Sequence, residues 1–390
     1  MKRIFLINLF FLGFFLVSPG CTTLKIMWYQ SSEPDDYKLF DTRTIHKGGT
    51  NSTFSFKTSD KAVAKIESLI LFPKGDKNNN LSEKPPLSMS EFLNMTKTNA
   101  FLVIRNDTIL YEQYFNGYDK NSISNSMSMG KAVTSSLVGI ALKEGHIKSL
   151  DDPIVQYLPD LKNIKGFEKI RIIHLLQMTS GIKFTENYNW LSDAAYLYYT
   201  SDRRKFFSQL EIESEPGIVW KYKSIDTALL SLILFQATNK TVSAYAEEKL
   251  WCPLGMESDA LWGLDSKESG IEKTSCCLYA TARDFAKFGR LYANKGNWFG
   301  NEIIDPWFFN YSTQIDESEG SVWDYQFKWW MPWWMGQIND PFYAHGYKGQ
   351  RLMISPSKQI IVVKLSNDTQ ADKNNKEYYM EMMKVIFENL

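Results

Sequence analysis

The sequence has few side chains that bind metals, since its 390 residues include only four cysteines and four histidines. Cys276 and Cys277 are adjacent, which is not the spacing of a zinc site, and the histidines do not stand at ligand spacings either. We therefore expect neither a metal nor another cofactor.

An excess of charge of one sign is also lacking, because 44 lysines and arginines balance 44 aspartates and glutamates. Proteins that bind nucleic acids usually carry a basic surface, so this balance argues against a nucleic-acid partner. The chain shows no internal repeat. Aromatic residues, in contrast, make up 15% of the chain, which is typical of a well-filled core and of an aromatic-lined cleft.

The first residues indicate a signal peptide over 1–20. Two basic residues precede an apolar run over 4–17, which is short for a membrane span, and small residues follow it. The next residue, Cys21, resembles a bacterial lipoprotein processing site, although Ser18 stands where such sites usually have an apolar residue. We predict a lipid on Cys21 that holds the protein on a membrane of the bacterial cell envelope, in the periplasm or at the outer surface. Plain secretion and a retained anchor are the alternatives.

Three cysteines remain once Cys21 is assigned to the lipid. Vicinal cysteines such as Cys276 and Cys277 rarely bond to each other, whereas Cys252 could form one disulfide in an exported protein. Small buried thiols are the favoured interpretation of all three.

The chain divides into a polar segment and a patterned domain. Residues 21–90 are rich in Asn, Asp, Ser, Gly and Pro, which predicts a lipid tether and an irregular N-terminal extension. Beyond them, β-rich runs around Asn106 and Asp107 predict a hairpin, and a second strand pair is predicted over 350–367. Apolar helices lie between. We predict one α/β (α+β) domain over 91–390, with an antiparallel sheet formed from its N- and C-terminal strands, flanking helices and a helical subdomain.

The sequence SMGK at 128–131 stands at the start of an apolar helix predicted over 126–145. Residues three apart lie on one helix face, so Ser128 and Lys131 can meet. A hydroxyl becomes a nucleophile when a base takes its proton, and a lysine in apolar surroundings approaches neutrality and can act as that base. The N–H groups of a helix N-terminus can in addition stabilise an oxyanion.

By itself, the Ser-x-x-Lys spacing is weak evidence. A second copy, from Ser355 to Lys358, lies at a Pro turn between predicted strands and is not expected to be catalytic. The purely structural interpretation of the first copy is a capping serine and a lysine whose ammonium group reaches solvent. The choice between a catalytic and a structural interpretation of Ser128 and Lys131 therefore depends on other motifs.

Two further motifs follow in order, YKS at 222–224 after a Pro-Gly turn and HGYKGQ at 345–350. Together with SMGK at 128–131, they make residues 95–390 resemble the serine β-lactamase and penicillin-binding-protein superfamily. The class C β-lactamase-like branch fits best, in particular its esterases and 6-aminohexanoate-dimer hydrolases. The resemblance implies a β-lactamase/transpeptidase-like fold.

The resemblance also implies roles for single residues. Ser128 would be acylated, Lys131 would take or relay its proton, and Tyr222 would act as general base and then acid. Neighbouring cations would stabilise the phenolate that this base requires. The backbone N–H groups of Ser128 and Tyr347 would form the oxyanion hole. Ser224 would hydrogen-bond near Lys131 or the substrate.

The third motif departs from the family pattern, because His345 and Gly346 stand where Lys-Thr-Gly would help to hold a β-lactam carboxylate. This departure, and Ser224 in place of asparagine, favour an ester or amide substrate. The resemblance places His345 and Gly346 beside the substrate, and Lys348 could bind an acidic or carboxylate-bearing one.

The segment 186–199 resembles a region that borders the cleft in relatives, so Tyr188, Trp190 and Asp193 are further candidates for substrate binding. The tryptophans at 328–334 could form an aromatic cleft, but packing of a strand and turn on the core is the favoured interpretation.

We therefore predict an exported serine hydrolase that cleaves an ester or amide bond of a small molecule through a Ser128 acyl-enzyme. One alternative is a β-lactamase or DD-peptidase acting on cell-wall-like substrates. Another is a non-catalytic envelope binding protein with the same fold. The intact set of Ser128, Lys131 and Tyr222 argues against the binding protein.

Overall fold

The computed structural model describes residues 22–29, 31–48, 54–75, 82–187, 192–332, 335 and 340–390. The candidates Tyr188 and Trp190, and two of the tryptophans, Trp333 and Trp334, lie outside the described residues. In the described ranges, no helix combines the length and the apolar character that a membrane crossing requires.

Helices fill the middle of the described chain, whereas most strands lie before and after this run of helices. The helices are α1 (Thr22–Tyr29), α2 (Val63–Glu67), α3 (Met89–Met95), α4 (Gly130–Lys143), α5 (Ile172–Gln177), α6 (Asp193–Tyr199), α7 (Arg203–Phe207), α8 (Ser224–Thr238), α9 (Val242–Ala246), α10 (Cys252–Leu254), α11 (Ala282–Ala293), α12 (Pro306–Ser312) and α13 (Lys376–Asn389). The strands are β1 (Thr42–Ile45), β2 (Lys57–Thr58), β3 (Ile70–Leu71), β4 (Leu87–Ser88), β5 (Thr98–Arg105), β6 (Thr108–Tyr114), β7 (Ser124–Asn125), β8 (Ala260–Gly263), β9 (Leu278–Ala280), β10 (Asn297–Trp298), β11 (Asn301–Glu302), β12 (Tyr325–Gln326), β13 (Trp329–Trp330), β14 (Phe342–Gly346), β15 (Gln350–Ser355) and β16 (Ile360–Ser366).

The main sheet joins the two ends of the predicted domain. Its described strands follow the order β12-β13-β14-β15-β16-β5-β6-β2, and all neighbours are antiparallel except β2 and β6. The turn between β5 and β6 has φ values of 48° at Asn106 and 57° at Asp107, the left-handed pair that a two-residue hairpin favours. The late strand β16 pairs with the early strand β5, which confirms the predicted sheet.

Both faces of this sheet are covered, because side chains alternate along its strands. In β5, Leu102 and Ile104 point into the larger core, which also contains buried residues of α4, α8 and α11. Phe101 and Val103 point the other way, into a second core formed with α3 and α13. This two-sided burial explains why β5 is apolar at successive positions.

Two buried helices carry the motifs. Most of α4 is buried and packs against α8, whose apolar residues are buried on nearly every side. A short 3₁₀ turn, Met127–Met129, leads directly into α4. The N-terminal ends of α4 and α8 therefore bring the first and second motifs to one place.

The N-terminal extension contains more regular structure than predicted. Helix α1 packs against α6, and β1 pairs antiparallel with β8, with Thr42 opposite Gly263. Ile26 and Ile45 are buried against the domain. The expectation of an irregular extension over 21–90 is corrected for these parts, because contacts with distant residues order a segment whose own composition is polar.

Candidate active site

Ser128 lies in the 3₁₀ turn before α4, and Asn125 fixes this turn. The Oδ1 atom of Asn125 accepts hydrogen bonds from the N–H of Met127 at 2.9 Å and from the N–H of Cys277 at 3.0 Å. Met127 has a φ of 47°, a left-handed conformation that costs energy in a residue with a side chain. The turn presents Ser128 at the wall of a cavity.

Lys131 points its Nζ atom at three oxygens. Nζ lies 2.8 Å from Oγ of Ser128, 3.1 Å from Oγ of Ser224 and 2.8 Å from the carbonyl oxygen of Ser275. Burial lowers the pKa of Lys131 to about 8, against an opposing effect of the Glu186 carboxylate. A large share of Lys131 is therefore neutral at mildly alkaline pH, and only a neutral amine can take the proton of Ser128.

Tyr222 completes the group around Ser128. Its hydroxyl hydrogen-bonds with Ser128, and the Nζ atom of Lys131 lies 5.0 Å from its ring centroid. The ring stacks on Trp330 at a centroid distance of 6.1 Å. Removal from solvent raises the pKa of Tyr222 well above its usual value. The structure thus contradicts the expectation of a stabilised phenolate, because burial opposes the charge and Tyr222 keeps its proton at neutral pH.

Glu186 is a site residue that the sequence analysis missed. Its carboxylate accepts a hydrogen bond from the N–H of Ser224 at 2.6 Å and another from the Ser224 hydroxyl at 2.7 Å. Because Ser224 begins α8, the positive end of that helix also faces the carboxylate. The signal in the sequence was modest: Glu186 is the first residue of the segment 186–199, which was predicted to border the cleft.

The third motif reaches the nucleophile through Gly346. A Cβ atom at this position would lie 2.4 Å from the carbonyl oxygen of Ser126 and 3.1 Å from Cβ of Met127, so only glycine allows β14 to pass this close. Tyr347 follows and lines the same cavity as Ser128. The backbone of Tyr347 is thus brought to the region where an oxyanion hole with Ser128 was predicted.

The side chain of His345 is already paired with a carboxylate of the protein. Its Nε2 atom lies 2.9 Å from Oδ1 of Asp372, and an Nη atom of Arg351 lies 3.3 Å from the same oxygen. Burial alone would raise the pKa of Asp372, but the neighbouring His345 and Arg351 lower it. Among the residues that the structure places on the cavity wall, His345 and Gly346 are absent. Gly346 acts through the close approach of its strand.

Lys348 was predicted to face the substrate, but its side chain points to another part of the protein. Its Nζ atom lies 2.7 Å from Oε2 of Glu33, in the N-terminal extension, and its side chain is 1% exposed. A buried ammonium that is already paired with a carboxylate has little affinity left for a substrate carboxylate. The prediction that Lys348 binds an acidic substrate is corrected on this ground.

Asp193 is also used within the protein. Its Oδ2 atom accepts a hydrogen bond from the N–H of Thr185 at 2.8 Å, which holds the beginning of α6 against the preceding segment. The next residues, Ala194 and Ala195, line the cavity, while Asp193 is not on the described wall. The structure supports the segment as a cleft border and assigns Asp193 a supporting role.

The cysteines differ from the expectation of separate thiols. Cys276 and Cys277 form a disulfide with each other, and Cys252 is free. The backbone at Cys277 turns through a φ of 66°, and Cys276 lies on the cavity wall. Throughout the described ranges, no cluster of histidine, cysteine, aspartate and glutamate could hold a metal ion.

These contacts place the serine and lysine of the first motif, the tyrosine of the second and the backbone of the third within one site, and comparison with known proteins agrees. The model of the family described as "Beta-lactamase" matches residues 95–384. The chain belongs to this family. It is accordingly a serine hydrolase.

Individual relatives extend this result. The chain is 25% identical to a 6-aminohexanoate-dimer hydrolase of Paenarthrobacter ureafaciens over 304 residues, which cover 72% of this chain and 75% of the relative. The structure of a putative 6-aminohexanoate-dimer hydrolase from Bacillus anthracis superimposes with a TM-score of 0.76, at 22% identity and with 93% of both chains covered. A class C beta-lactamase structure gives a TM-score of 0.58 at 15% identity and covers 77% of this chain and 94% of its own. The two structures show the fold, and the family match over residues 95–384 confirms the predicted superfamily.

Proposed function

We propose that this protein hydrolyses an ester or amide bond of a small molecule through an acyl-enzyme on Ser128. The observation that carries the proposal is the position of Lys131, whose Nζ atom lies 2.8 Å from the Ser128 hydroxyl oxygen in a buried setting that lowers its pKa to about 8. A nucleophile and a base at hydrogen-bond distance are the minimum that covalent catalysis requires.

In the acylation step, neutral Lys131 takes the proton of Ser128 while Oγ bonds to the substrate carbonyl carbon. The oxyanion that forms is stabilised by the backbone N–H groups of Ser128 and Tyr347. The bond to the leaving oxygen or nitrogen then breaks. The leaving atom receives a proton from Tyr222, and the phenol is restored by the proton on Lys131.

Deacylation repeats these transfers with water. Tyr222, with its raised pKa, is a weak acid that passes a proton well only when the Lys131 amine compensates, so the two groups act as one relay. Water adds to the acyl carbon and gives up a proton to this relay. The bond from carbon to Oγ breaks, and Oγ takes the proton back. The chain of hydrogen bonds ends at Ser224 and Glu186.

The third motif supports an ester or amide substrate over a β-lactam or a D-amino-acid peptide. Its basic side chains already have carboxylate partners within the chain: Lys348 has Glu33, and His345 has Asp372, which it shares with Arg351, the residue after the motif. A substrate carboxylate would have to displace one of these pairs.

The proposal is tested by labelling the full-length protein with a fluorophosphonate probe and measuring the intact mass. We expect one adduct that disappears in Ser128→Ala and remains in Ser355→Ala. The second variant removes the serine of the other Ser-x-x-Lys copy, which is the last residue of β15, before the turn to β16, and is a matched control. An unlabelled but folded protein would refute the acyl-enzyme and favour the envelope binding protein.

A labelled protein is then assayed with p-nitrophenyl esters, short amides and nitrocefin. Turnover of esters or amides, with slow or absent turnover of nitrocefin, is the expected result. Efficient nitrocefin hydrolysis would show that the paired basic groups of the third motif do not exclude a β-lactam.

We propose further that Cys21 carries a lipid and holds the enzyme on a membrane of the bacterial cell envelope. Support comes from α1, which begins at the next residue and exposes Leu24, Met27 and Trp28. Apolar and aromatic side chains of this kind favour the interface of a bilayer. Metabolic labelling with an alkynyl fatty acid should mark the wild-type protein and not Cys21→Ser. Labelling of both proteins would refute Cys21 as the site of lipid attachment.

A further inference from the structure

The cavity beside Ser128 has a wall that comes from outside the matched domain. Ser31 and Ser32, in the extension between α1 and β1, line this cavity together with residues of the 3₁₀ turn before α4, of α6, and with Cys276 and Tyr347. The extension was expected to be a tether, and nothing in its sequence marks it as part of a site.

Hydrogen bonds hold this part of the extension next to the first motif. The carbonyl oxygen of Pro34 accepts the N–H of Asn125 at 2.9 Å, and Asn125 is the residue that fixes the nucleophile turn. The carboxylate of buried Asp36 accepts the Tyr198 hydroxyl at 2.6 Å and the N–H of Glu33 at 2.9 Å. Buried hydrogen bonds of this kind hold a segment in one position.

The wall is also tied to the third motif and to α6. Ser31 hydrogen-bonds with Tyr347, and its carbonyl oxygen accepts the Tyr199 hydroxyl at 3.1 Å. Glu33 pairs with buried Lys348 at 2.7 Å. The segment 31–36 thus contacts the strand before the nucleophile turn, α6 and the third motif, and its position is coupled to that of Ser128.

The chemistry of the cavity limits what it can hold. All side chains that the structure places on its wall are uncharged, so a charged substrate group would lose its hydration without gaining a counter-ion. The cavity volume is about 90 Å³, smaller than the about 150 Å³ of a cavity known to accept benzene. Ser128 and Tyr347, whose N–H groups would bind the oxyanion, line the cavity, whereas Tyr222, which would protonate the leaving group, is not on the described wall. This arrangement favours the acyl side of the substrate as the occupant of the cavity.

We propose that the segment 31–36 forms the wall of an acyl-binding subsite, and that this subsite selects short, uncharged acyl groups. The inference rests on the proposed acyl-enzyme at Ser128. A rigid pocket that is one methylene too small disfavours a substrate by about tenfold or more. Chain length should therefore determine the rate through contacts with the extension.

The test compares p-nitrophenyl acetate, butanoate, hexanoate and benzoate, so that only the acyl group changes. The full-length protein in detergent should prefer acetate or butanoate over hexanoate and benzoate by about tenfold or more in kcat/KM. Ser32→Phe, which adds a ring to the wall, should lower the kcat/KM for butanoate relative to that for acetate. Ser208→Phe places the same ring at an exposed serine and should leave the ratio unchanged.

A second pair of variants tests the contacts that hold the segment 31–36 in place. Glu33→Gln removes the charge that pairs with Lys348 and should relax the preference for short chains. Asp35→Asn is the matched control, because Asp35 forms an exposed pair with Lys38 and should change nothing.

The outcomes separate the two proposals. Fluorophosphonate labelling is measured on every variant and reports whether the acyl-enzyme site is intact. Labelling with a flat chain-length profile, or with a profile that Ser32→Phe leaves unchanged, would overturn the subsite while the acyl-enzyme stands. Failure of wild-type labelling would overturn the acyl-enzyme. If Glu33→Gln is unfolded by circular dichroism, Ser32→Phe decides alone.

Discussion

Glu186 accepts two hydrogen bonds from Ser224, one from the main-chain N–H at 2.6 Å and one from the hydroxyl at 2.7 Å. The same hydroxyl accepts a hydrogen bond from Lys131 at 3.1 Å. A carboxylate is thus joined to the base through a single serine. Its negative charge favours the ammonium form of Lys131, while burial disfavours it and has the larger effect on the pKa.

Replacement of Glu186 by glutamine should therefore move the pH profile. In the wild type, kcat/KM should rise with pH as Lys131 loses its proton, around its pKa of about 8. Glu186→Gln removes an attraction that raises this pKa, so the rise should occur at lower pH. Glu211→Gln, which alters an exposed pair with Lys183, is the control and should keep the wild-type profile. A shift of the Glu186→Gln profile to higher pH would contradict the assignment.

The hydroxyl of Tyr222 should matter for catalysis and little for stability. Tyr222→Phe retains the ring that stacks on Trp330 but loses the proton relay, so kcat should fall by about 10²- to 10⁴-fold. The melting temperature should remain close to that of the wild type. Tyr311→Phe is a matched control, since Tyr311 also stacks on a tryptophan, Trp307, away from the site. A Tyr222→Phe enzyme with full activity would exclude the tyrosine from the relay.

A methyl group at Gly346 should disturb the nucleophile directly. Gly346→Ala places Cβ 2.4 Å from the carbonyl oxygen of Ser126, so β14 must move away from the turn that carries Ser128. We expect a loss of stability of about 1–3 kcal/mol and a fall in kcat that exceeds any change in KM.

The control for this variant is Gly289→Ala in α11. Its Cβ would contact the ends of the Ile361 and Leu352 side chains at 2.8 and 2.9 Å, and not the turn that carries Ser128. It should cost stability and leave kcat of the folded enzyme intact. Equal losses of kcat in both variants would indicate a general packing effect.

The disulfide between Cys276 and Cys277 predicts the number of free thiols. Thiol titration of denatured, unreduced Cys21→Ser protein should detect one group, from Cys252. After reduction, three groups should react. Three groups before reduction would show that the vicinal cysteines are separate thiols, as their adjacency alone would suggest.

Much of the catalytic domain could be predicted from local patterns. The hairpin at Asn106 and Asp107 follows from the preference of such residues for left-handed turns, and the meeting of Ser128 and Lys131 follows from helix geometry. The order of the three motifs indicated the family, because each motif lies on a different element and the set rarely arises by chance. These signals depend on residues that are close in sequence.

Other site features could not be predicted this way. The sequence showed an acidic residue at Glu186 but not that two groups of Ser224 would bind it. It showed a tyrosine in the second motif, but burial, which raises the pKa of Tyr222, is decided by the surrounding Trp330 and Tyr325. Both features depend on packing between elements.

The amino-acid sequence by itself identified Ser128 and Lys131 as the candidate nucleophile and base, and it indicated the sheet formed from both ends of the domain and the family. Only the tertiary structure decided that the extension forms a wall of the cavity and that Lys348 pairs with Glu33. These two residues are 315 positions apart, and no local pattern relates them. The physical reason is that a buried charge is stable only with a partner, and the folded chain, rather than the neighbouring residues, supplies that partner.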